Sequence, residues 1–64
     1  MTTRIYTASD KLKAVEREIG FRHRVYDRKV DEGRMKPADR DEGIAIMEAI
    51  AADYRALAEK ERLL

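Results

Sequence analysis

Leu12, Val15, Ile19, His23, Tyr26 and Val30 recur along the first half of the chain at spacings of 3, 4, 4, 3 and 4, between mostly charged residues. A mean step of about 3.6 residues is the period of an α-helix with one buried face. The preceding "TASDKL" offers Thr7 or Ser9 as an N-cap, and Asp10, three residues after Thr7, completes a weak capping box. A first helix is therefore expected from about residue 9 to 32. In the second half Ile44, Met47, Ile50, Ala51, Tyr54, Leu57 and Ala58 form a broader apolar stripe, predicting a helix over 37–62. Gly20 and Gly43 interrupt these patterns. Each costs roughly 1 kcal/mol relative to alanine, which neither pattern is too weak to absorb.

Between the stripes lies the corner 33–36, within "DEGRMKP". Gly33 suits the left-handed conformation that follows a helix end. Pro37 suits the first turn of the next helix, where its missing N–H would have had no partner. Asp39, Asp41 and Glu42 sit near that start, where carboxylates complement the helix dipole. A short corner between two long helices forces them antiparallel. The expected fold is all-α, an antiparallel αα-hairpin forming a single domain over 1–64. Met35 is expected to plug the turn, and Tyr26 and Tyr54 to face inward.

Length changes this picture. A chain of 64 residues buries only about 60% of the surface that it exposes when unfolded, so an isolated core is marginal. It has no cysteine and one histidine, which removes disulfides, thiolate zinc sites and thiol nucleophiles as staples or chemistry. The second stripe covers roughly 160° of its helix, more than one seam with one partner helix uses. A homodimer closing into a four-helix bundle would bury the remainder.

Charge narrows the function less than shape does. Charged residues make up 42% of the chain, yet the net charge is +1. No run approaches membrane-spanning length, and "MTTRIYTASD" has no apolar stretch of the kind found in leaders. A cytoplasmic protein without membrane contact is expected. No phosphate cradle, nucleophile elbow or pair of catalytic carboxylates occurs, so neither an enzyme nor a cofactor is expected. His23, with Asp27 one turn later, is the one residue that invites catalysis or metal binding. The Glu-x-x-His spacing of dimetal bundles is missing, which favours a half-buried histidine bonded to Asp27 or across the dimer. The acidic "ADRDEG" lacks the alternating ligands of a calcium loop and is better explained by the helix start.

The stretch "FRHRVYDRKVDEGRMKP" is the chemically distinctive one. On a wheel, Lys13, Arg17, Arg24 and Arg28 fall within about 60° of one another, roughly opposite the apolar line. Phe21 sits at the margin of this basic line and Val25 beside it. Cations around an exposed ring fit an acidic protein surface with Phe21 as anchor. They also fit nucleic acid, with phosphates on the arginines and a base on the ring. The plainer alternative is a solvated face stitched by Glu18–Arg22 and Arg28–Glu32 pairs.

Residues 14–55, "AVEREIGFRHRVYDRKVDEGRMKPADRDEGIAIMEAIAADYR", resemble a family of small uncharacterised proteins encoded in phages and prophages of proteobacteria. The arginine-rich segment leading into "VY", the "GRM" corner and the "IAIMEAIAADY" segment carry the likeness. No activity is established for that family, so no functional residue is carried over. It implies a bacterial host cell, where short phage proteins regulate genes, adapt other proteins or block host defences. The expected function is a non-enzymatic protein-binding module, an accessory or inhibitor that occupies a partner's surface. The alternative is an RNA- or DNA-binding helical-bundle regulator.

Overall fold

A computed structural model describes residues 5–64; "MTTR", the front of the stretch read above for a leader, lies outside the described residues. Helix α1 spans Ala8–Asp31 and helix α2 spans Pro37–Leu63, and they pack as an antiparallel hairpin. Both ends of the sequence-based boundaries hold to within one residue, because the caps define them. Thr7 accepts a hydrogen bond from the Asp10 N–H at 3.1 Å, and the Asp10 carboxylate accepts one from the Thr7 N–H at 3.1 Å. The capping box is complete. At the other end Gly33 takes φ 73°. Its N–H donates to the Val30 carbonyl at 3.0 Å and the Arg34 N–H donates to the Lys29 carbonyl at 2.8 Å. Two reverse bonds around a left-handed glycine make a Schellman end. Pro37 opens α2 as expected, and Met35 is half-buried under the corner.

The two helices meet along a stricter repeat than the sequence suggested. The inward positions of α1 are Ala8, Leu12, Val15, Ile19, Arg22, Tyr26 and Lys29; those of α2 are Arg40, Ile44, Met47, Ala51, Tyr54 and Ala58. Steps of four and three alternate along this set, and Glu18, Gly20, Val25, Val30 and Gly43 beside it are half-buried too. A straight helix drifts about 20° per seven residues away from a fixed partner, and a 3.5-residue repeat held over this length keeps two helices in contact by supercoiling. That drift is why the averaged period misplaced one residue. His23 is not in the seam but exposed, and the seam position is held by its neighbour Arg22. Ile50 and Leu57, expected inside, are 36% and 49% exposed, because α2's stripe is wider than α1 can cover.

The core is thin. Ala8, Ile44 and Ala51 are the buried apolar residues, and no side chain among those described is fully buried. The Cα atoms span 47 × 30 × 13 Å, so the hairpin is a slab about one helix thick. No helix among the described residues is long and apolar enough to cross a membrane.

Candidate functional site

A slab of two helices has two broad sides and two outer edges, and the alternating seam assigns every other residue to one of them. Ala8 faces Glu61 and Tyr26 faces Gly43 across the seam, which fixes the heights of the remaining positions.

One broad side is apolar. It carries Phe21 and Val25 from α1 with Ile46, Ile50 and Leu57 from α2. Phe21 and Ile46 are 50% and 57% exposed, large values for an aromatic and a branched aliphatic side chain. The charged groups nearest the seam on this side are already engaged. Arg22 donates from Nη1 to the Gly43 carbonyl at 2.7 Å and from Nε to Glu18 at 3.1 Å. Its guanidinium lies 5.8 Å from the Tyr26 ring centroid, and the Lys11 ammonium lies 5.8 Å from that of Tyr54. Gly43 makes the Arg22–Tyr26 arrangement possible, since a Cβ there would stand 2.9 Å from Tyr26 Cε2.

The opposite broad side is polar. Glu16, His23, Glu48 and Arg55 line it. Arg55 reaches Glu16 at 3.6 Å, and Arg40 reaches Asp27 at 3.5 Å and Asp41 at 3.1 Å. A shallow cleft of about 330 Å³ is lined by His23, Asp27, Arg40, Ile44 and Glu48, among others. The expected His23–Asp27 hydrogen bond does not form; the Asp27 carboxylate turns to Arg40 instead. Among the described residues no group of three His, Asp or Glu side chains converges as a metal set would.

The outer edge of α1 holds Lys13, Arg17, Arg24 and Arg28, all exposed. The candidate set thus divides: its apolar members Phe21 and Val25 lean to the apolar side, and its four cations, Lys13, Arg17, Arg24 and Arg28, stay on the edge. Of the stitching pairs considered, Glu18–Arg22 forms. Arg28–Glu32 does not, because Glu32 pairs with Arg34 at 2.8 Å. Arg22, Arg34, Arg40, Arg55 and Arg62 each meet a carboxylate. Among the described residues Arg17, Arg24 and Arg28 meet none, and all three sit on this one edge.

Set against protein-family models, curated proteins and solved structures, the chain matches none.

Two features escaped sequence reasoning. The first is Ile46, 57% exposed, which lies outside the α2 stripe read from the sequence and adds to the spare apolar surface expected there. The second is the outer edge of α2, where Glu42 and Asp53 stand among alanines at 45, 49, 52 and 56. Neither carboxylate has an ion-pair partner among the described residues. Unpaired acids on one edge and unpaired bases on the other are not visible in a net charge of +1.

Proposed function

We propose that this hairpin is a non-enzymatic protein-binding module that docks its α1 outer edge, with Phe21 and Val25 at its border, on an acidic surface of another protein. The observation that carries the reading is the set Arg17, Arg24 and Arg28, whose guanidiniums lack carboxylates while the other described arginines have them. A guanidinium is built for bidentate contact with carboxylates, and a half-exposed phenylalanine beside it supplies the apolar anchor that such contacts need for affinity. Within this reading two hairpins close into a four-helix bundle, and the likeness to phage and prophage proteins suggests an accessory or inhibitory role in a bacterial host cell.

The same unpaired cations favour a second reading, in which RNA or DNA phosphates occupy the edge. Salt separates the two, because each phosphate contact adds about −0.9 to the slope of log affinity against log salt on duplex DNA. The test compares the parent chain with Arg24→Glu and Arg28→Glu combined. Proteins captured from a bacterial extract by the parent and lost by the variant, at unchanged helicity, support protein docking. A heavier, salt-sensitive complex with a random nucleic-acid pool supports the second reading. Equal behaviour of parent and variant in both assays removes the basic edge from either.

A further inference from the structure

The slab lacks the second layer that packed domains have. Its Cα radius of gyration is 14.9 Å, against about 11 Å for a compact chain of this length. Its accessible surface is 5379 Å², whereas size scaling for a compact monomer of this mass gives about 4,200 Å². The excess, about 1,200 Å², exceeds the roughly 800 Å² that each partner contributes to a stable protein interface. That excess is spread over the whole flat chain, and it leaves room for a partner of this size; the apolar side is the one with the exposed isoleucines and ring.

We infer that a second copy of this chain covers the apolar side, related by a two-fold axis parallel to the long axis of the hairpin, so that α1 of each copy lies across α2 of the other. The inference rests on the proposed binding reading, in that the basic edge of α1 meets an acidic protein surface; it names that surface as α2 of the partner copy. Two observations select it. The side carries no uncompensated charge at its centre, since Glu18 and Arg22 satisfy each other and Lys11 lies over Tyr54, so two copies of it do not repel. The outer edges are complementary and in register. Phe21 stands level with Glu48, midway between Ile46 and Ile50, so in the paired arrangement each ring points at the gap between two isoleucines. Within one residue of equal height Arg28 comes opposite Glu42 of the partner, and Arg17 opposite Asp53 of the partner.

The other two-fold arrangement, α1 upon α1, would bring the basic edge against itself. Like charges facing one another are disfavoured and steer pairing away from that register. Apolar burial supplies the affinity, and the edge charges choose which helix lies on which.

Sedimentation equilibrium over a concentration series tests this, with helicity followed in parallel. The parent is expected as a species of twice the 7.4 kDa chain mass. Arg17→Glu with Arg28→Glu, and separately Glu42→Arg with Asp53→Arg, are each expected to raise the dimer dissociation constant about tenfold or more. All four substitutions in one chain restore opposite charges across the interface, and affinity returns to within about threefold of the parent. A parent that stays monomeric to about 1 mM, roughly the weakest affinity of a specific contact, overturns the pairing. So does a dimer indifferent to both charge variants, or a four-site swap that fails to recover. A monomer that still loses an acidic protein on Arg24→Glu with Arg28→Glu overturns this pairing alone and leaves the binding reading intact. A swap-rescued dimer that takes up neither acidic protein nor nucleic acid supports the pairing and ends the wider reading.

Discussion

The two broad sides of the hairpin are made by the same two helices over the same length, yet they solve the problem of exposure in opposite ways. On the polar side, Glu16, Glu48 and Arg55 flank the seam, and water satisfies whatever they leave open. On the apolar side, Phe21, Ile46, Ile50 and Leu57 stand in water with between 36% and 57% of their surface uncovered. Single exposed apolar residues are ordinary on protein surfaces; a contiguous group of them marks a contact. Backbone geometry does not distinguish the sides, since two helices packed along one seam leave both flanks of it alike. The difference lies wholly in which residues occupy the flanking positions. If the proposed pairing holds, stability of the fold and association rest on separate positions, and substitution separates them.

The sharpest separation comes from two isoleucines on α2. Ile44 is 8% exposed in the seam, and Ile50 is 36% exposed on the apolar side. Ile44→Asp removes a buried side chain and inserts a carboxylate with no partner, a loss of about 3 kcal/mol or more. A domain of this size has about 3–5 kcal/mol to lose, so the variant is expected to be largely unfolded by circular dichroism. Ile50→Asp places the charge where the single hairpin leaves room for water. Its helicity is expected to persist at high dilution, while the dimer proposed for the parent is lost. If Ile50→Asp unfolds the isolated hairpin as Ile44→Asp does, the apolar side is part of the core and the comparison collapses.

The caps and corner were legible in the sequence because each rests on a local rule. Thr7 with Asp10, Gly33 and Pro37 act within a few residues of themselves. The apolar stripes set helix type whatever lies opposite. His23 was misplaced for a non-local reason: whether residue 22 or 23 faces the seam depends on supercoiling, a property of two helices together. Ile50 and Leu57 fail similarly, as a stripe records what is apolar and not which part of it a partner covers. The edge cations Arg17, Arg24 and Arg28 were found from spacing alone. That they lack carboxylates was not, because Glu32 lay within reach of Arg28 along the helix and Arg34 takes it around the corner.

The two helical glycines sharpen the comparison at smaller energy. Gly43 lies on the apolar side beneath Tyr26, and Gly20 lies toward the polar side with nothing within 4 Å of an added Cβ. Gly20→Ala gains helix propensity of about 1 kcal/mol, which in a domain of this size raises the melting temperature by about 4–8 °C. Gly43→Ala gains the same propensity, but its Cβ would meet the Tyr26 ring at 2.9 Å. The ring must then swing off the helix, loosening its contact with Arg22 and the approach of Arg22 to the Gly43 carbonyl. A lower melting temperature than that of the parent is expected, so that one substitution made on two sides changes sign. Equal stabilisation of both variants would mean that Tyr26 moves freely and that the apolar side is less well ordered than its contacts imply.

The smallest effect belongs to the polar side. Arg55 and Glu16 approach to 3.6 Å, with side chains 61% and 51% exposed. An ion pair so open to water gains little beyond what solvation already gives each partner, and salt screens most of the rest. Arg55→Ala is expected to change stability by no more than about 0.5 kcal/mol and to leave association untouched, as measured by urea unfolding and by sedimentation in the same buffer. The near-silence is informative because α2 presents Arg55 and Ile50 only five residues apart, at neighbouring heights on opposite sides. If Arg55→Ala weakened the dimer as strongly as Ile50→Asp, the second copy would have to reach the polar side as well. A single covered side would then be the wrong description of the assembly.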